Sequence, residues 1–296
     1  MRWFALLAVV MASACSTDPV IVADPVESAG SAPAAPPPPA EPTVPGPPLA
    51  PATLDGEYQQ GGYIRGTAPF GTASATYNGQ PLPLGTDRGF FAGLDRDAEG
   101  VAELVFTADD GQKRAHTIPI APRQWDIERV DVARRPSGSS EAWWARREPE
   151  WLAIQAARAK ETDAQGWRQQ FVRPVAGRIS GRFGRQRIYR GEPGSYHSGL
   201  DIAAPTGTPF VAPADGVVVL AVTGFSLEGN LLIIDHGQGL NSAFLHASRI
   251  LVSEGDRVSQ GQVIGEVGST GRSTGPHLHW GIKWRDARLD PLLFLP

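Results

Sequence analysis

The sequence predicts a mainly β protein in which two β-rich parts are joined by a helical segment. Glycine and proline are abundant, with 34 and 27 of 296 residues, and this favours strands and turns over a helical bundle. Short apolar runs separated by turn signals recur over residues 53–122 and again from 172 to the end, which is the pattern of short strands. Only the stretch from about 140 to 171 has a helical period.

The N-terminus predicts a targeting segment over residues 1–14. A short basic start is followed by an apolar run over 3–11 and by small residues before Cys15, the only cysteine. The run is too short to span a bilayer core of about 30 Å. The pattern resembles a bacterial lipoprotein signal, in which Cys15 becomes the lipidated first residue, and an ordinary secretory signal is the alternative. In such signals an aspartate after the cysteine indicates retention in the inner membrane. Ser16 occupies that position here, so by analogy we expect a periplasmic protein anchored to the outer membrane.

Residues 15–52 predict a disordered tether. The stretch is dominated by proline, alanine and small polar residues, so it buries too little apolar surface to offset the entropy of ordering. As extended polyproline II, some thirty residues reach on the order of 90 Å. That length suits a catalytic domain held between a membrane and a cell wall.

Residues 53–125 predict a small antiparallel β-sandwich. About six short strand-like runs occur here, and Asn78-Gly79 is a strong hairpin turn. No catalytic cluster is present, and we interpret His116 as a strand residue.

Residues 126–171 predict a helical linker. Pro149 suits the first position of a helix, with Trp151, Ile154 and Arg158 on one face. The tryptophans of this segment are expected to pack against a domain rather than stack on sugars.

Residues 172–296 predict a mainly antiparallel β domain that contains five of the six histidines. His277 and His279 lie two apart in a strand-like run, so both side chains point to one face, about 6.6 Å apart. Two imidazoles at that spacing can address one ion. His236 is interpreted as structural, because it lies at a strand end before a turn.

His197 and Asp201 supply further ligand types in a glycine-rich stretch that we read as extended or bulged. Two histidines and one carboxylate form the ligand set of a catalytic zinc site with an open position. Zinc there lowers the pKa of water towards about 7 and polarises a carbonyl. Two histidines then remain for proton transfer and for stabilising a developing oxyanion.

Three motifs in this order, HSGLD at 197–201, FLHAS at 244–248 and STGPHLHW at 273–280, resemble the lysostaphin/LytM family of zinc metallopeptidases. The resemblance covers about 172–294. It implies a lysostaphin-like antiparallel sheet of barrel-sandwich type, with the site in a groove, and the peptide stems of peptidoglycan as substrate. It also implies that His197, Asp201 and His279 hold zinc while His246 and His277 assist catalysis. Phe244 departs from the pattern, since the family often has tyrosine there.

Two other functions are considered. Some members of the same family have lost their metal ligands and activate cell-wall amidases, which would make this chain a regulator with a protein partner. The run from 254 to 264 resembles biotinyl or lipoyl carrier domains, but none of the three lysines, Lys113, Lys160 and Lys283, lies in the required turn. The net charge of −4 offers no basic surface for nucleic acid.

Overall fold

The computed structural model describes residues 48–133 and 140–296. The predicted signal segment, Cys15 and residues 15–47 of the predicted tether lie outside the described residues. The described residues all belong to one compact unit. Within the described residues, no helix has both the length and the apolar character needed to cross a membrane.

The predicted mainly β fold is confirmed, with 21 strands and one α-helix among the described residues. The elements run in the order β1 (Thr53–Glu57), β2 (Tyr63–Thr67), β3 (Thr72–Tyr77), β4 (Gln80–Pro81), β5 (Gly89–Gly93), β6 (Val101–Ala108), β7 (Lys113–Pro119), β8 (Ile127–Val130), α1 (Glu141–Arg158), β9 (Arg178–Gly181), β10 (Gln186–Tyr189), β11 (Glu192–Pro193), β12 (Leu200–Ala203), β13 (Pro209–Val211), β14 (Gly216–Phe225), β15 (Gly229–Asp235), β16 (Leu240–Ala247), β17 (Arg249–Ile250), β18 (Arg257–Val258), β19 (Val263–Glu266), β20 (His277–Trp284) and β21 (Ala287–Leu289). Short 3-10 helices span Gly166–Arg168 and Pro291–Phe294.

The N-terminal strands form two sheets, β1-β2-β5 and β4-β3-β6-β7. Phe90 of one sheet packs on Phe106 of the other, with ring centroids 5.5 Å apart. The predicted hairpin at Asn78-Gly79 joins β3 to β4, and both residues have positive φ, as a type I′ turn requires. The sandwich also contacts the C-terminal part, where Arg123 Nη2 pairs with the buried Asp290 at 2.7 Å.

The C-terminal part is organised by an antiparallel sheet in the order β18-β14-β15-β16-β20-β12-β9, with β21 beside β20. Side chains of β20 alternate between its two faces. Leu278, Trp280 and Ile282 enter the main core, while His277 and His279 lie on the opposite face. This second face carries the candidate site.

Helix α1 begins earlier than predicted. Pro149 was expected at its first position, but the helix starts at Glu141, capped by Ser140, whose side chain accepts from the Trp143 amide. Pro149 is exposed inside the helix, so water can solvate the carbonyl that its missing N–H leaves unbonded. The Ser140 cap therefore determines the start.

The packing prediction for the linker tryptophans is partly wrong. Trp167 is buried, whereas Trp144 and Trp151 are about half exposed. The face of α1 that packs instead carries Ile154 and Ala157, which contact β14, β15 and β16 through a small apolar cluster. Helix α1 therefore covers part of the same sheet face that carries His277 and His279.

Candidate metal centre

Three of the predicted residues meet at the junction of β12 and β20. Asp201 and His279 are direct cross-strand partners, and His197 lies in the loop that leads into β12. Their side chains offer one ligand atom each, and these atoms all lie within 4.8 Å of one another. A β-bulge between Asp201 and Ile202 agrees with the bend expected in this glycine-rich stretch.

The donor atoms are closely spaced. Asp201 Oδ1 lies 3.0 Å from His197 Nε2 and 2.8 Å from His279 Nδ1, and the two histidine nitrogens are 3.2 Å apart. Ligand atoms of a tetrahedral zinc ion, at 2.0–2.1 Å from the metal, lie about 3.3 Å from each other. Two imidazoles and a carboxylate at these separations fit a zinc ion.

Two neighbouring histidines keep Asp201 available as an anion. Burial raises the pKa of Asp201, but hydrogen bonds with His197 and His279 outweigh it and hold the pKa far below its usual range. Burial is also the largest influence on His279, and it lowers the pKa of that imidazole. A deprotonated carboxylate and a neutral imidazole are the forms that bind a metal.

Backbone carbonyls orient three of the histidines. Nδ1 of His197 bonds Arg182 O at 3.0 Å, Nδ1 of His246 bonds Thr270 O at 2.8 Å, and Nδ1 of His277 bonds Gly275 O at 2.8 Å. A carbonyl oxygen accepts only, so each Nδ1 carries a proton, and in the neutral form of each ring the lone pair is on Nε2. This arrangement is how protein sites usually fix the tautomer of a metal-binding or catalytic histidine.

His246 and His277 lie beside the cluster. Their ring centroids are 5.0 Å apart, and the His246 ring is 6.3 Å from that of His279. Nε2 of His277 is 3.7 Å from Asp201 Oδ1. All five predicted site residues line one cavity of about 590 Å³, whereas a more apolar cavity of about 440 Å³ near Trp284 contains none of them.

The backbone of His246 adopts an unusual conformation. Its φ is +66°, a left-handed value that is costly for a residue other than glycine or asparagine. It occurs where the pairing of β15 with β16 shifts register. The His246 amide donates to Glu228 O at 2.9 Å, so the tip of the β14–β15 hairpin holds the strained residue in place.

Glu228 is in turn held by helix α1. Its carboxylate accepts two hydrogen bonds from Arg147, at 2.7 and 2.8 Å, while Glu150 bonds the amide and hydroxyl of Ser226. Leu227 and Glu228 line the candidate cavity. One wall of the site is therefore fixed by residues of α1.

Two further features support the site from behind. A Cβ added to Gly199 would lie 2.7 Å from His279 Nε2 and 2.6 Å from Trp280 O, so only glycine allows this close approach. The buried Ser242 hydroxyl accepts from Trp280 Nε1 at 3.2 Å and contacts His236 Nε2 at 2.9 Å. His236 Nδ1 donates to Asp215 O, a structural role that agrees with the sequence interpretation.

Arg147, Glu228 and Thr270 were not identified from the sequence. Thr270 follows Gly268-Ser269 and precedes the His-x-His motif, and its position close to that motif was an available signal. Arg147 and Glu228 lie 81 positions apart, and nothing in either local pattern indicates that they pair.

Known proteins resemble the chain over this site. Residues 195–291 match the description of peptidase family M23. Peptidoglycan DD-endopeptidase ShyA of Vibrio cholerae is 45% identical over 109 residues, 36% of this chain and 24% of that protein. A lipoprotein NlpD/LppB homolog of Pseudomonas aeruginosa is 40% identical over 123 residues, 42% of this chain and 39% of that protein. The chain thus spans only about a quarter to two-fifths of these relatives.

A solved structure extends the likeness to most of the chain. A Pseudomonas aeruginosa protein assigned to peptidase M23 is 30% identical, with a TM-score of 0.61, and the alignment covers 81% of this chain and 95% of that one. An alignment over 81% of the chain extends well beyond residues 195–291. This chain belongs to peptidase family M23.

Proposed function

We propose that the protein is a zinc-dependent endopeptidase that hydrolyses peptide cross-links in peptidoglycan. The observation that carries the proposal is the convergence of His197, Asp201 and His279, with donor atoms 2.8–3.2 Å apart, beside two further histidines. Zinc in a three-ligand protein site acts as a Lewis acid that polarises a peptide carbonyl and acidifies water. The ShyA relative is named for peptidoglycan endopeptidase activity.

His246 is the proposed proton acceptor. Its Nδ1–H is committed to Thr270 O, which leaves Nε2 to take a proton from the attacking water. Burial lowers the pKa of His246, so the imidazole is neutral near pH 7 and ready to accept.

His277 is proposed to act as the hydrogen-bond or proton donor in the reaction. Its Nδ1–H is fixed to Gly275 O, so Nε2 faces the cavity. When protonated there, it donates to the developing oxyanion or to the leaving amine.

The alternative is a non-catalytic activator of cell-wall amidases, with a regulatory protein as partner. The similarity to a relative named as an NlpD/LppB homolog is the observation that supports this alternative. The enzyme is favoured because this chain has all three candidate ligands and both further histidines around one cavity.

Mass spectrometry of defined cross-linked muropeptides tests the proposal. Full-length protein is expected to convert dimers to monomers, to stop when a chelator is added, and to resume when zinc is restored. An activator would leave the dimers intact in the presence of zinc.

We also propose that Cys15 carries a lipid that anchors the protein in the periplasm, at the outer membrane. The apolar run, the small residues before Cys15 and Ser16 after it support this. Cys15→Ala is expected to move the protein from the membrane fraction to the soluble fraction; membrane association that is unchanged in the variant refutes the anchor.

A further inference from the structure

The sheet face that carries the site continues beyond His279. On β20, residues His279, Gly281 and Lys283 alternate onto this face. Because residue 281 is glycine, β20 itself places no side chain on this face between His279 and Lys283. Gly281 is buried, and a Cβ added to it would meet nothing closer than 3.5 Å. His279 and Lys283 are four residues apart along β20, which corresponds to about 13 Å.

Three cationic side chains are brought together at the far end of this surface, and we call them the cationic end. Arg288 of β21 is the cross-strand partner of Lys283 and lines the cavity of the candidate site. Arg158, at the end of α1, donates to Asn241 Oδ1, and Asn241 pairs with Lys283 from the other side. Helix, sheet and hairpin therefore each contribute one cation.

These cations are poorly neutralised by the protein. Among the described residues, no carboxylate lies within ion-pair distance of Arg158 or Arg288, and Lys283 has only the fully exposed Asp286 at 3.5 Å. Glu228, whose charge acts on Arg158, is already bound by Arg147. Asp95 accepts from the backbone amide of Arg288 rather than from its guanidinium.

The electrostatics agree with this geometry. Burial and the neighbouring Arg288 lower the pKa of Arg158 to about 10. Burial and Arg158 likewise lower the pKa of Lys283. Partly buried like charges are unfavourable unless an anion joins them.

We propose that the cationic end binds a carboxylate of the substrate peptide and so selects stems that carry a free acid. This inference rests on the proposed peptidase function. Because Arg288 lines the same cavity as His197, Asp201 and His279, a peptide held there can place a carboxylate against it. Arg288 presents the planar fork that matches a carboxylate, and Lys283 adds a point charge.

Kinetics on two cross-linked muropeptides test the proposal, one with free stem carboxylates and one with the same groups amidated. Wild-type full-length protein is expected to show a KM about tenfold lower for the free-acid substrate, the contribution of one charge-assisted hydrogen bond. Arg288→Gln and Lys283→Gln are each expected to raise that KM about tenfold, with kcat and the amidated substrate little changed. Arg288→Lys should recover part of the preference.

Arg257→Gln is the matched control, since Arg257 is 67% exposed and pairs with Asp163 on the surface. It removes one positive charge without touching the cationic end, and the preference should persist. Equal KM values for both substrates in the wild type overturn the proposal. So does a preference for the free acid that survives in both Arg288→Gln and Lys283→Gln.

Binding to chelator-treated protein separates this inference from the proposed function. Calorimetry with the free stem tetrapeptide and its amidated form is expected to show about tenfold tighter binding of the acid, lost in Arg288→Gln. Such binding without any cleavage would refute the peptidase and keep the carboxylate subsite. Equal binding of the two peptides would refute the subsite whether or not cleavage occurs.

Discussion

Arg147 and Glu228 form a two-bond ion pair, with Nη1–Oε2 at 2.7 Å and Nη2–Oε1 at 2.8 Å. Arg147 belongs to helix α1, outside the residues that match the family description, whereas Glu228 lines the candidate site. Because the Glu228 carbonyl also holds the strained His246 amide, this pair links the helix to a proposed catalytic residue.

Arg147→Gln is expected to lower kcat by up to about 10²-fold while zinc binding is retained. Loss of one partner leaves a partly buried Glu228 carboxylate unpaired, and the resulting shift of the hairpin misplaces His246, an effect of that size for a displacement of about 1 Å. Steady-state kinetics and zinc titration on the same preparations measure the two effects. Arg146→Gln is the control, because Arg146 is 67% exposed and its ion pair with Glu150 is long, at 3.8 Å. Equal loss in both variants contradicts the positioning role.

His246→Asn is expected to reduce kcat by about 10²–10⁴-fold, the usual contribution of a general base. Asparagine tolerates the left-handed backbone that His246 adopts, so this substitution removes the imidazole with little added strain. The zinc content should match the wild type. Full activity in this variant rules out the proposed proton transfer.

Gly199→Ala is expected to weaken zinc binding and to abolish cleavage, because the added methyl overlaps both His279 Nε2 and Trp280 O. Trp280 O is a backbone atom within a packed sheet, so it cannot move away to make room for the methyl group. Gly100→Ala serves as control, since a Cβ there meets nothing within 4 Å. Zinc affinity that is unchanged in Gly199→Ala contradicts the assigned packing around His279.

The burial of His236 is expected to lower the free energy of unfolding in acid. Burial lowers the pKa of His236 to about 4, against about 6.5 in the unfolded chain. Between these values the unfolded state binds more protons than the folded state, so the free energy of unfolding falls as the pH decreases. The full effect is about 3 kcal/mol, complete near pH 4 and absent well above pH 6.5.

Urea unfolding of chelator-treated protein at several pH values measures this effect. The difference between wild type and His236→Gln isolates it from the carboxylates, which titrate in both. If the wild type and the variant lose stability in parallel from pH 7 to pH 4, the buried neutral state assigned to His236 is wrong.

Local patterns predicted much of this protein, because strands and turns are encoded locally. The alternation of His277 and His279 indicated a shared face, and Asn78-Gly79 indicated a hairpin; both are observed. The register that sets Asp201 opposite His279 depends on long-range pairing. The local pattern therefore left open which histidine joins His197 and Asp201, and the family resemblance implied that it is His279. Helix α1 starts at Glu141 rather than at the predicted Pro149, because the Ser140 side chain caps it there. The ion pair of Arg147 with Glu228, and the three cations around Lys283, arise from tertiary packing that no local period reveals.

Zinc stoichiometry of purified full-length variants tests the central claim most directly. Elemental analysis is expected to find about one zinc per chain in the wild type and in His246→Asn, as for a single three-ligand site, and almost none in His279→Ala. A wild-type protein that neither carries nor takes up zinc, or a His279→Ala variant that retains it, would contradict the account.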